Sequence, residues 1–393
     1  MHELSADMGM HLLTKRKKVR IILLLGALPV TIKMHEADGI YLKRPRLKAE
    51  PVAELTLEDI ARRAGVSRST VSRVINRQPN VRKAVRERVL RVIEETGFHP
   101  NAAARTLASQ RSFMIGLVLP KGVGAFFSDP YFPMLTQGIA QGCNQHDYTL
   151  GLFMLDSSED EDNLFPRISR KGLLDGILVQ AGSNGDAFIE RLVRSDIPSV
   201  NLGRPLNPLG VNYIDVENRE GARQAVAHLI ALGKTRIAML SGPEMSTVSL
   251  DRKSGYLDAL MASPLAVDEG LIRSSEFTEA GGYFSMQTLL EAGPDAVFAA
   301  SDALAYGAIR AIREQGLRVP ADIAVVGFDD LPVPALSVPE IRLTTVHQPV
   351  LEFGVKAVEL LIDRIEHGNA PARQVVIETQ LVIRDTCGTK RNY

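Results

Sequence analysis

The sequence predicts two parts: an N-terminal all-α helix-turn-helix domain, and a larger α/β body built on parallel sheets. Three observations predict them. Residues 55–101 hold three short stretches with apolar residues at helical spacing, the first two separated by Gly65. From Met114 onward, continuous apolar runs alternate with amphipathic stretches, as in parallel sheets covered by helices on both faces. The charge is also divided. Residues 1–111 carry 22 Lys/Arg against 11 Asp/Glu, and the remainder 24 against 35, in a chain of zero net charge. A basic front on an acidic body points to a front that meets a polyanion.

The chain has 393 residues, enough for two or three domains, and is 45% hydrophobic, enough for sizeable cores. Two cysteines, Cys143 and Cys387, are too few for a disulfide framework or a zinc cluster, which fits a reducing compartment, the cytoplasm. No run approaches the roughly 18–20 apolar residues that span a bilayer.

Residues 1–53 read as an extension. KRKKVRIILLLGALPV (15–30) has the basic-then-apolar order of an export signal but no clear small-residue cleavage site. The polar stretch after it reads as a linker. Three readings compete: an export signal, an ordered extension, or a disordered stretch upstream of a true start such as Met34, of which the last is favoured.

The first helix of 54–100 begins after Thr56, an N-cap, with Asp59 placed to complete a capping box. Leu57, Ile60, Ala61 and Ala64 form its apolar face. Gly65 supplies the turn, because glycine tolerates positive φ. Ser67 caps a second helix over about 68–75, where Val71, Val74 and Ile75 face inward. Arg68, Ser69, Thr70, Ser72 and Arg73 are left outside. After Pro79 a third helix buries Val81, Val85, Val89, Val92 and Ile93. In such a unit the second helix enters the DNA major groove with its N-terminal residues at the base edges. Arginine can donate two hydrogen bonds to guanine, and short hydroxyl and amide side chains reach bases or phosphates. The bland alternative is a three-helix bundle with a solvated basic face. NAAARTLASQ (101–110) is a short alanine-rich helix capped by Asn101, too short to be stable alone.

Strands are predicted at 114–120, 149–155, 176–181, 199–203, 236–242, 296–300 and 323–330, with helices between, such as 219–233 and 301–316. Ligands in such sheets bind beyond the carboxyl ends of strands. The candidates there are Tyr131 and Phe132 after the first strand, Arg204, Ser246 and Arg252, Phe277, and Asp302. Aromatic rings stack on the apolar faces of sugars, and Asp and Arg can each hold neighbouring hydroxyls. With only Arg204 and Arg252 as cations beside Asp302, a small neutral sugar suits these positions better than a phosphorylated ligand. No metal, nucleophile or phosphate-loop motif is present, so neither catalysis nor a cofactor is expected.

TLEDIARRAGVSRSTVSRVIN, VRERV and GFHPNAAARTLASQRS, together with this body, make the chain resemble the lactose-repressor (LacI/GalR) family of bacterial transcription regulators over about 55–386. The resemblance implies a two-lobed, periplasmic-binding-protein-like effector domain over 112–386, with the chain crossing between lobes three times. We place one lobe at 112–213 plus 331–348, the other at 214–330 plus 349–386, and a tail at 387–393. It further implies base reading by Arg68, Ser69 and Arg73, and phosphate binding or helix capping by Thr56, Ser67, Thr70, Ser72 and Asn76. Residues 101–111 would be a hinge helix with Asn101 at its start and Leu107 wedged into the minor groove. Positions matching Arg252 and Asp302 would contact the effector, and Phe277 would line its pocket. Many members carry Asp where this chain has Gly203, so the resemblance does not identify the sugar. The implied protein is a homodimer on near-palindromic operator DNA, with no membrane partner, acting as a sugar-controlled repressor. An exported sugar-binding protein, or an activator or corepressor-dependent regulator on the same scaffold, are the alternatives.

Overall fold

The computed structural model describes residues 20–25, 28–33, 41–42, 55–75, 80–98, 111–119, 126, 129–155, 158–170, 172–180, 187–195, 197–332, 341–368 and 371–389. The expected hinge helix, with Asn101 and Leu107, lies outside these residues, as does Asn76. The chain divides into two compact units, Met1–Pro100 and Asn101–Tyr393.

In the first unit, strands β1 (Arg20–Leu25) and β2 (Leu28–Lys33) pair antiparallel, Arg20 opposite Lys33, and β3 (Tyr41–Leu42) joins β2, so these parts of the extension are strands where disorder was expected. Three helices follow: α1 (Leu57–Ala64), α2 (Arg68–Ile75) and α3 (Lys83–Thr96). The capping box at Thr56 is complete. The Asp59 amide donates to Thr56 Oγ1 at 3.3 Å, and the Thr56 amide donates to Asp59 Oδ2 at 3.0 Å. Gly65 ends α1 with φ of 62°, the left-handed conformation that a side chain would strain. Its turn lets α2 start within three residues of α1. Ile60, Ala61, Ala64, Val71, Val74, Val89 and Phe98 form the buried core. The predicted apolar faces are therefore the ones that pack together.

The second unit holds two six-stranded sheets. The first contains β4 (Met114–Leu119), β5 (Thr149–Met154), β6 (Gly176–Gln180), β7 (Ser199–Leu202), β8 (Tyr213–Val216) and β14 (Gln374–Ile377), all parallel, in the order β14-β8-β7-β6-β4-β5. Helices α4 (Tyr131–Gln145), α5 (Ser158–Ile168), α6 (Ala187–Val193) and α11 (Val350–His367) belong to this lobe. The α4 and α11 helices pack on each other, and α11 lies over β6, β7 and β8.

The second sheet contains β9 (Ile237–Ser241), β10 (Ile272–Ser274), β11 (Ala296–Ala299), β12 (Ala324–Asp329), β13 (Thr344–His347) and β15 (Gln380–Val382), in the order β10-β9-β11-β12-β13-β15, with only β15 antiparallel. Around it pack α7 (Asn218–Ala231), α8 (Thr247–Met261), α9 (Glu279–Leu290) and α10 (Asp302–Glu314). β9, β11 and β12 read as apolar runs because they are buried at every position, and so on both faces.

The lobe boundaries need one correction. β13 pairs with β12 in the second sheet, whereas α11 and β14 join the first lobe. Relative to the expectation of 331–348 in the first lobe and 349–386 in the second, β13 and the pair α11 and β14 are exchanged, while β15 lies in the second lobe as expected. A strand followed by an amphipathic helix reads the same whichever sheet receives it, so the pattern showed the elements and not their partners. The described chain passes between lobes at β8 to α7, at β13 to α11 and at β14 to β15.

Candidate functional site

On the helix-turn-helix, Arg68, Ser69 and Arg73 are exposed on α2, whose first turn holds no acidic residue. Ser67 Oγ accepts the Thr70 amide at 3.2 Å and lies 2.8 Å from both Ser69 Oγ and Thr70 Oγ1. This hydroxyl cluster fixes the helix start. Thr56 is committed to its capping box, and Ser72 is half-buried. Arg68 is the one predicted reader with an ion pair to a described residue: its Nε lies 3.0 Å from Glu58 Oε1.

Between the lobes, Arg252 is the centre of a buried polar network. It projects from α8 and is 4% exposed. Its Nε donates to Asn218 Oδ1 at 2.9 Å, and its Nη1 donates to the Ala300 carbonyl and to Asp329 Oδ1 at 3.2 Å. The guanidinium lies 3.6 Å from the Phe328 ring centroid, a cation–π contact. Gln348 Nε2 donates to Asp329 Oδ1 at 2.6 Å, and Asn218 Nδ2 donates to Asp215 Oδ1 at 2.9 Å. Asp215 lies on β8 of the first lobe, Asn218 follows the β8 crossing, and Gln348 lies in the β13-to-α11 crossing. The network therefore ties two of the three crossings to Arg252.

Asp302 opens α10 at the carboxyl end of β11 and is buried. Its Oδ1 accepts from Thr345 Oγ1 at 2.5 Å and its Oδ2 accepts the Leu331 amide at 3.1 Å. Burial and the neighbouring Asp329 charge raise its pKa well above the usual carboxylate value. Burial likewise pushes Asp329 up to about 7 against the pull of Arg252. It pushes Asp215 up to about 6 against hydrogen bonds from the Val216 and Arg204 amides. The Tyr131 phenol is raised by burial, with the charges of Asp329, Asp215 and Arg252 around it.

The structure thus brings Tyr131, Arg252 and Asp302 into one neighbourhood. Phe277 packs against Gly242 at the end of β9, where a Cβ would collide with its ring. Ser246 is the N-cap of α8 and makes no side-chain capping bond. Arg204 is tied to Asp251 by two hydrogen bonds, of 3.1 and 2.7 Å. Phe132 is buried in the first lobe's core beside Phe126. A concavity of about 260 Å³ opens at the β8 crossing, lined among others by Arg204, Asp215, Asn218, Arg219 and Asp251. Sequence reasoning missed Asp215, Asn218, Asp329, Thr345 and Gln348. It also missed Gln180 at the carboxyl end of β6, whose Oε1 is buried and makes no hydrogen bond. The rule that ligands sit beyond strand ends pointed to Asp329 and Gln180.

A two-lobed α/β body with a polar centre between its lobes, preceded by a helix-turn-helix, defines a DNA-binding regulator with a ligand-sensing domain. Residues 56–101 match the model of the bacterial regulatory proteins of the lacI family, and residues 226–387 match the periplasmic binding protein-like domain. The chain is 36% identical over 335 residues to the HTH-type transcriptional regulator CelR of Thermobifida fusca, spanning 84% of this chain and 98% of that one. Among solved structures it resembles a transcriptional regulator CelR–cellobiose complex, with a TM-score of 0.67 and 34% identity over 84% of this chain and 99% of that one. It also resembles the lac repressor dimer bound to operator and an anti-inducer, with a TM-score of 0.68 and 27% identity over 85% and 99%. The chain belongs to the LacI family and is an effector-responsive, DNA-binding transcriptional regulator. These relatives are regulators rather than enzymes. Among the described residues no helix is long and apolar enough to cross a membrane.

Proposed function

We propose that the chain is a cytoplasmic, homodimeric repressor of carbohydrate-utilisation genes, and that a small neutral sugar between the lobes controls its grip on a near-palindromic operator. The observation that carries the sugar reading is the make-up of the network: one buried arginine, Arg252, among Asp215, Asp302 and Asp329. An anionic ligand would meet three acidic groups for one cation, and that cation is already paired with Asp329. Sugar hydroxyls can donate to the carboxylates and accept from the arginine. The cellobiose bound by CelR and the operator-bound dimer of the lac repressor support the same reading. The helix-turn-helix speaks against an exported binder.

In this account Tyr131 and Phe277 stack on the sugar, while Arg252, Asp302 and Ser246 hold its hydroxyls. Arg204 and Phe132 support the site from outside it. The protein performs no chemistry on the ligand and needs no cofactor or metal. Sugar competes for the groups that tie the crossings together and so favours a different lobe arrangement. Only a ligand that binds that arrangement more tightly can shift the equilibrium. The shift reaches residues 101–111, where Asn101 and Leu107 engage the operator as a hinge helix. Calorimetric titration with cellobiose, glucose 6-phosphate and glucuronate tests the ligand class. Cellobiose is expected to bind at least about tenfold more tightly, roughly 1.4 kcal/mol. Tighter binding of either anion would overturn the reading.

A further inference from the structure

Arg68 is the first residue of α2, the end of a recognition helix that meets base edges. Glu58 is the second residue of α1. The two come from different helices, yet their side chains meet with Arg68 Nε 3.0 Å from Glu58 Oε1. The arginine is 67% exposed and the glutamate 54%. A pair so open to solvent contributes little to stability. It also places a carboxylate beside a surface that approaches phosphates, where a free acid would repel. The chemistry that makes sense of the pair is orientation. The ion pair lies at Nε, and the two terminal nitrogens are the donors that form the two-bonded contact with guanine O6 and N7. The long arginine side chain otherwise loses rotamer freedom on binding, a cost that a preset geometry lowers. Arg73, the other predicted arginine reader, has no ion pair to a described residue.

We propose that Glu58 is a positioning residue for base recognition: through Arg68 it sets which base pair the recognition helix prefers. This rests on the reading of Arg68 as a base reader. The test uses the full-length protein and a duplex it selects from a randomised DNA library. Affinities are measured at fixed salt for that duplex, for its single-base substitutions and for unrelated DNA, with Arg68→Ala, Glu58→Ala and Glu58→Gln. Arg68→Ala is expected to flatten the preference at one base pair in each half-site. Glu58→Ala is expected to lower the preference at that same base pair by roughly threefold to tenfold while binding to unrelated DNA is unchanged or tighter. Glu58→Gln, which keeps an oxygen beside Nε but loses the charge, is expected to restore part of the preference. If Glu58→Ala and Glu58→Gln both tighten every duplex equally and leave the preferences alone, Glu58 is only a local negative charge and the proposal fails. If Arg68→Ala leaves every preference intact, the reading of Arg68 fails first, and the proposal with it.

Discussion

Arg204 and Asp251 clasp one another across the two lobes. Arg204 follows β7 of the first lobe and Asp251 lies on α8 of the second, with Nε–Oδ2 at 3.1 Å and Nη2–Oδ1 at 2.7 Å. Beside them Thr247 Oγ1 donates to the Arg204 carbonyl at 2.6 Å, and the Arg204 amide donates to Asp215 Oδ2 at 3.1 Å. A single residue thus holds the start of α8 and a carboxylate of the polar network. We expect Arg204→Ala and Asp251→Ala each to cost about 1 kcal/mol in urea unfolding, as a partly exposed two-bonded pair should. Together they should cost less than the sum, because the second change removes a partner already lost. Strict additivity would show that the clasp contributes nothing.

Arg252 is a different case, because its surroundings are buried. Arg252→Met keeps much of the side-chain volume but leaves Asp329 without its cation and Asn218 without its donor. Breaking a buried pair from one side costs about 3–5 kcal/mol. The loss should appear in unfolding of the effector domain, while α1–α3 are unaffected. A cost below about 1 kcal/mol would mean that water reaches the network freely.

The buried carboxylates give the domain a definite pH response. Asp215 rises from an ordinary 3.8 to about 6 and Asp329 from 3.8 to about 7. Between about pH 4 and pH 7 the folded chain therefore keeps protons that the unfolded chain has lost, and this contribution to stability declines as pH rises through that window. Asp215→Asn removes one such proton. Its stability relative to the unaltered protein should rise by about 2.4 kcal/mol between pH 4 and pH 7.5. A difference that stays constant across this range would show that Asp215 ionises as an exposed acid does.

Phe277 depends on Gly242. Gly242→Ala must push the ring away, since the new Cβ would occupy its space. The neighbouring strand β9 is fully buried and cannot yield. Sugar affinity should fall by about tenfold, or 1.4 kcal/mol, with little change in operator binding without sugar. Unchanged sugar affinity would remove Phe277 from the pocket.

Much of this was legible in the sequence, for identifiable reasons. The capping box at Thr56 and Asp59 and the turn at Gly65 are local, so the residues specify them without help from the rest of the fold. Six of the seven apolar strands were legible because they are buried on both faces, and the edge strand β5 because its residues are still apolar. β8 was not, because Asp215 interrupts its apolar run, and the residue that hides the strand is one that ties the lobes together. Strands β10, β13, β14 and β15 are three or four residues long and leave little pattern to read. Asp302 stood out at a strand end, and Arg252 in the helical segment that follows one. Asp215, Asn218 and Gln348 meet Arg252 only through the crossings between lobes, and those are set by tertiary packing. Phe132 shows the converse: its place beside Tyr131 suggested a stacking ring, but the helix turns its side chain into the core.

In the function proposed above, a sugar between the lobes governs operator binding. It is tested most directly by fluorescence anisotropy with labelled duplex DNA from upstream of the protein's own gene, at fixed salt, with and without cellobiose. Tight, sequence-specific binding that cellobiose releases is expected, with affinity falling by at least about tenfold. Binding that is identical with and without the sugar, or that appears only when the sugar is present, would contradict it.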